Sequence, residues 1–191
     1  MATMNAAEVG AGSAKVTGAI WVAPKGTTLP TDATTALAGT YKLLGFTSDA
    51  GVTISESRTT DEIRAWEGRT VVYNTVTEYT ESVSFTPIQV NGDVAKLTWG
   101  AGNVTVTSST LYAKHSAANL DPVCIVIETV PRPGIVKRYC GTFQLTERGD
   151  ATLDGTQVDG RALTFNAIAD TNGVTLHEYT AFTSGATGTT E

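Results

Sequence analysis

Between Thr70 and Thr86 the chain reads TVVYNTVTEYTESVSFT, and five of its apolar residues fall at alternate positions. Val71, Tyr73, Tyr79, Val83 and Phe85 occupy odd positions, while Asn74, Glu78, Thr80, Ser82 and Ser84 occupy even ones. A side-chain period of two belongs to a strand with one buried and one wet face. The pattern returns in Gly134–Thr146, where Ile135, Tyr139, Phe143 and Leu145 oppose Arg138, Thr142, Gln144 and Thr146. It returns again in Arg161–Ala169 through Leu163, Phe165 and Ala167. Val123–Ile127 (VCIVI) is apolar without a break, as in a central strand covered on both faces. The 34 threonines, with many Val, Ile and Tyr, favour strands over helices. Further strands are expected at Val16–Val22, Leu43–Ser48, Val52–Ser57, Val104–Thr107 and Val174–Phe182. Turn chemistry at Asp49-Ala-Gly51, Asp154-Gly155, Asp159-Gly160 and Asn172-Gly173 separates strands. The expected fold class is mainly β, a β-sandwich or rolled barrel with one short α-helix and a long loop.

Two segments depart from the β pattern. Asn91–Gly100 (NGDVAKLTWG) opens on a capping Asn with an acid in the first turn and closes on Gly. Val90, Val94 and Leu97 have helical spacing, which predicts one short helix. Ser55–Arg69 reads as a long excursion between strands, with a capping box from Thr59 to Glu62 if it makes a helical turn. Pro24–Thr40 has turn composition and is expected to be a surface loop. Residues 1–14 and 183–191 are small, polar and Gly-rich, so they read as flexible arms around a single domain spanning 15–182.

Chemistry is mostly excluded. Thirteen basic residues against nineteen acidic give a net charge of −6, and Lys137-Arg138 is the only adjacent basic pair, so no nucleic-acid-binding stripe exists. No apolar run approaches a membrane span, and the N-terminus has no signal-peptide pattern. His115 and His177 stand far apart, and no His/Cys spacing resembles a metal site. No nucleophile elbow, phosphate-binding loop or metalloprotease motif occurs. Asp170-Thr-Asn172-Gly173 lacks the remaining ligands of a calcium loop and reads as a turn. No enzymatic activity, cofactor or metal is expected. Cys124 and Cys140 flank a Pro-Arg-Pro-Gly turn and are expected to be reduced core residues. Whether they touch depends on a hairpin register that the sequence leaves open.

Several short motifs follow one another in a distinctive order. The motifs are Gly18-Ala-Ile-Trp-Val-Ala-Pro-Lys-Gly-Thr-Thr-Leu-Pro-Thr-Asp32, followed by Leu44-Gly-Phe-Thr-Ser-Asp-Ala-Gly-Val52. In the middle come Ile63-Arg-Ala-Trp-Glu-Gly68, Phe85-Thr-Pro-Ile-Gln and a helix ending Trp99-Gly100. Arg161-Ala-Leu-Thr-Phe-Asn-Ala167 before Asp170-x-x-Gly173 completes the series. This order resembles the major tail tube proteins of long-tailed, non-contractile (siphovirus-type) bacteriophages, as in phages of actinobacteria, and the resemblance covers nearly the whole chain. Pro87-Ile-Gln-Val-Asn91 departs from it, since relatives often carry a Glu before the helix. Some relatives append an immunoglobulin-like domain, and the sequence after residue 182 is too short for one.

The resemblance implies a virion tail protein assembled in the host bacterial cytoplasm. Six copies would join sheets into a ring, and rings would stack into a tube around the tape-measure protein. Tail terminator and tail tip proteins would bound the tube, and DNA would transit its lumen without specific binding. No membrane is involved.

Within that frame Glu78, Thr80 and Ser82 are candidates for the lumen wall, where an acid repels passing phosphate. Ser55–Arg69 is the candidate ring-stacking element. It carries Glu56, Arg58, Asp61, Glu62, Arg64, Glu67 and Arg69 around an apolar anchor of Ile63 and Trp66. So charged a segment is expected to order only against a neighbouring ring, unless Trp66 folds back on its own domain. Two other classes fit less well: a contractile-tail or secretion-system tube protein, and a carbohydrate-binding β-sandwich, whose clustered aromatics the dispersed Trp21, Trp66 and Trp99 do not supply.

Overall fold

The computed structural model describes residues 9–156 and 158–182. In chain order the strands are β1 (Ile20–Pro24), β2 (Lys42–Leu43), β3 (Thr47–Arg64) and β4 (Val71–Pro87). Helix α1 (Gly92–Trp99) follows, then β5 (Val104–Val106), β6 (Leu111–Ala113), β7 (Val123–Arg132), β8 (Ile135–Arg148), β9 (Leu163–Ile168) and β10 (His177–Phe182). One antiparallel sheet runs β2-β1-β7-β8-β9-β4-β3, with β10 also paired to β8, and β5–β6 form a separate ribbon. The chain is mainly β with a single α-helix among the described residues, as the alternation predicts.

The apolar run at Val123 explains the layering. Alternate residues of β7 serve opposite faces, so an unbroken run feeds two cores. Ile125 and Ile127 join Ile20, Leu44, Val83, Phe85, Phe143, Leu163 and Phe165 on one face, closed by Leu97 of α1. Phe85 and Phe165 stack there with ring centroids 5.4 Å apart, and burying each ring contributes roughly 2–3 kcal/mol. Cys124, Val126 and Cys140 serve the other face with Ala23 and Tyr41, and Leu29 and Leu37 of the 25–40 loop pack over them. That loop carries no strand and acts as a cover.

A buried ion pair ties this cover down. Glu128 and Arg138 are cross-strand partners, each only 2% exposed. The Arg138 guanidinium donates twice to the Glu128 carboxylate, through Nε at 3.0 Å and through Nη2. Its Nη1 donates to the Asp32 carbonyl at 2.7 Å, and Lys15 Nζ reaches the same carboxylate at 2.6 Å. The pair thereby holds the loop, β7, β8 and the N-terminal segment together. Of the expected arms, residues 1–8 and 183–191 lie outside the described residues. Residues 9–14 run beside β7, with Ala11 N–H donating to Pro131 O and Val130 N–H donating to Ser13 O.

The cysteines prove to be diagonal neighbours. Val126 faces Cys140 and Cys124 faces Thr142, so both thiols share one face two registers apart, buried and free. Burial pushes the Cys140 thiol up to about 11 and the Tyr41 phenol up to about 12.

The predicted helix stands. Asn91 Oδ1 accepts from Val94 N–H at 2.8 Å, and Gly100 ends the helix at φ 89°. Asn91 Nδ2 also donates to Leu44 O, and Phe46 N–H donates to Gln89 Oε1 at 3.1 Å. These bonds join the two feet of β3 and β4. Gly45 sits between them at φ 102°, where a side chain would collide with the Gln89 amide.

Three expectations fail. Asp49-Ala-Gly51 is an irregularity within β3, not a turn: the register with β4 shifts between Thr47 and Val52, and the strand runs on to Arg64. Ser55–Arg69 is neither a loop nor a helical turn: Ser55–Arg64 is strand, and only the remainder turns. The alternation of Thr70–Thr86 buries a face only from Val83 onward, and Val71–Thr80 are exposed on both faces.

Candidate assembly surface

The β3–β4 hairpin leaves the sheet early. β9 pairs with β4 only from Ser82 to Phe85, so eleven residues of β4, Val71–Glu81, have β3 as their only ladder partner. β3 is the last strand of the sheet, and its outer edge has no strand beside it among the described residues. An isolated two-stranded ribbon is marginal in water, and an 18-residue open edge invites another strand.

The pairing sorts the expected site residues by face. Ser82, Thr80 and Glu78 oppose Ser55, Ser57 and Thr59, which makes a hydroxyl-rich strip with one acid. It lies on the face opposite Val83 and Phe85. Thr77 is an extra residue, since Thr59 pairs with Glu78 while Thr60 pairs with Val76. This bulge shifts parity, so beyond it Val76 takes the face that Tyr79 and Phe85 occupy before it. On that face Glu56 and Arg58 form an exposed ion pair at 3.2 Å, and the Arg58 guanidinium lies 5.4 Å above the Tyr79 ring. Glu62 and Arg64 pair farther out. Exposed pairs of this kind contribute at most about 1 kcal/mol. Asp61 and Ile63 lie on the strip's side, opposite Thr75 and Tyr73.

Trp66, Glu67 and Arg69 occupy the turn. Ala65 N–H donates to Thr70 O at 2.8 Å, and Arg64 Nη1 donates to Arg69 O. Gly68 and Arg69 both have positive φ, at 65° and 53°, and Arg69 is the one non-glycine residue so placed among the described residues. Trp66 is 95% exposed, so it does not fold back on its own domain. Ile63, Val72, Tyr73 and Val76 are exposed beside it. The alternation misled here, since it implied a core under residues that the chain itself leaves bare.

The three tryptophans stay apart. Trp21 packs under the 25–40 loop, Trp66 caps the hairpin, and Trp99 stacks on His115 at 3.5 Å beneath Arg148 and Arg161. His177 lies 3.5 Å from Asp170, whose carboxylate is held below the usual range by the Val174 and Asn172 amides. Among the described residues no group of His, Cys, Asp or Glu is arranged to hold a metal, and no helix is long and apolar enough to cross a membrane.

Residues 2–184 match the family model described as phage tail tube protein. The chain belongs to that family. No match is found among curated proteins. Membership makes the chain a structural protein of the virion tail that assembles into a multimeric tube. In a protein that assembles into a multimer, a bare ribbon and an open edge are surfaces open to pairing with another copy.

Proposed function

We propose that six copies close into a ring through their β3–β4 ribbons, and that rings stack into the tube of a long non-contractile tail. The observation that carries this reading is the ribbon itself, projecting beyond β9 with an unpaired edge and uncovered apolar residues. Ribbons side by side satisfy that edge and cover Val72, Tyr73 and Val76. The strip of Glu78, Thr80 and Ser82 then lines the lumen, where hydroxyls are neutral to DNA and the acid repels phosphate. The turn and outer strand, from Glu56 and Arg58 through Asp61, Glu62, Ile63 and Arg64 to Trp66, Glu67 and Arg69, form the ring-to-ring contact. The role is mechanical and not catalytic. The tube assembles in the bacterial cytoplasm around a tape-measure protein, between tail tip and terminator proteins, and DNA passes without specific binding.

Negative-stain microscopy of the purified protein tests this directly. Sixfold rings or tubes are the expected product, and cryo-microscopy then reads which face meets the lumen. Monodisperse globules at high concentration, or Glu78 on the outer wall, would overturn it.

A further inference from the structure

The hairpin has two ends with unlike chemistry. Its turn presents Trp66 beside Glu67 and Arg69, and neither of these two charges has an ion-pair partner among the described residues. At its foot, between α1, β1 and the approach to β7, lies a cleft of about 650 Å³. That falls in the range of roughly 300–1,000 Å³ typical of clefts that hold an organic group. Its floor is apolar through Val22, Leu120 and Val123, and Lys25, Lys42 and Lys96 stand on its rim. Asp93 and Asp121 add the opposite sign.

A chain cannot fill its own cleft. Leu44 and Leu97 line the cleft, and Leu44 is tied to the foot of the hairpin through Asn91. The turn lies the length of β3 away, about 55–60 Å for its 18 residues. We propose that the cleft receives the hairpin turn of a second copy of this chain, with the Trp66 indole on the apolar floor, Glu67 toward the lysine rim and Arg69 toward the aspartates. The inference rests on the stacking reading above and names its receptor. Turn-to-foot contact is heterologous, so every copy offers one turn and one cleft, and the contact repeats without closing. Trp and Arg buried in pockets are among the residues that carry most of the energy of protein interfaces.

Gly102 gives access to the cleft. It lines the cleft, and a side chain there meets nothing within 4 Å. The native cysteines are buried, so a disulfide between Ala65→Cys and Gly102→Cys reports turn-to-cleft contact alone. In assembled tubes the double variant should give a reducible ladder of cross-linked chains longer than one ring, and neither single variant should. Gly102→Trp places a bulky ring at the cleft wall and should leave the monomer's melting unchanged while shortening tubes at least tenfold. Tubes that form without any cross-linked ladder, or tubes of normal length from Gly102→Trp, would overturn the cleft assignment. Normal tubes from Trp66→Ala would instead bring down the stacking reading itself.

Discussion

Two antiparallel hairpins of this chain differ in what covers them. The β7–β8 hairpin has α1 and the β4–β9 core on one face and the 25–40 loop on the other. An ion pair and two thiols lie inside it. The outer β3–β4 hairpin has comparable strand propensity, with Thr, Val, Ile and Tyr throughout, and from Val71 to Thr80 its β4 strand is exposed on both faces among the described residues. Backbone pairing is therefore not what separates them. Cover is, and in the proposed assembly the missing cover comes from other copies.

Four experiments press on that contrast. The largest effect is expected from Trp66→Ala, which should abolish tube extension while the monomer's melting moves by less than about 0.5 kcal/mol equivalent, as for a bare surface site. Loss of folding would mean that the outer hairpin is already integral to the monomer.

Arg138→Ala should act in the reverse sense. It leaves a carboxylate that is 2% exposed with Lys15 as its one remaining cation and removes the bond to the Asp32 carbonyl in the 25–40 loop, a loss of about 3 kcal/mol and a melting shift on the order of 10 °C. Arg58→Ala breaks the exposed counterpart pair in β3 and should shift melting by no more than about 3 °C. Equal shifts in calorimetry would erase the distinction between the hairpins.

Glu78→Lys should leave rings and melting intact and slow DNA ejection several-fold, since a ring of cations binds passing phosphate. Ejection kinetics unaltered by this change would remove Glu78 from the lumen.

The smallest effect lies in the alkaline limb of stability. In the unfolded chain the Cys140 thiol ionises near 8.5, whereas in the fold burial raises it to about 11. Stability should be complete below about 8.5 and decline as pH rises through that window, because only the unfolded state gains the charge. Denaturant midpoints across this range should slope for the native chain and flatten in Cys140→Ala. The same slope in both would exclude the thiol.

What the sequence revealed depends on where its neighbours came from. β7, β8 and β9 were legible because their partners lie in the same chain, so alternation and burial agree. Asn91, Val94 and Gly100 made α1 legible through local capping alone. The Glu128–Arg138 pair went unread, although a hairpin register around Pro133-Gly134 sets residue 128 against residue 138, as Cys124 is set against Thr142. The outer hairpin was misread twice. Charges in Ser55–Arg69 suggested a loop, because a strand without its own core needs no apolar stripe. Beyond Thr80 toward the turn the alternation suggested burial, and one extra residue at Thr77 exchanged the faces.

The joint at Gly45, Gln89 and Asn91 has a mechanical consequence. It clamps one end of a slender beam whose outer eleven residues of β4 reach about 36 Å past the last support at β9. A cantilever magnifies angular error at its root, so a tilt of about 5° at the clamp swings the turn, about 55–60 Å away, by about 5 Å. Gly45 fixes this angle by letting the backbone lie directly against the Gln89 amide. Alignment at the far end is thus set by a residue without a side chain, at the root of the beam.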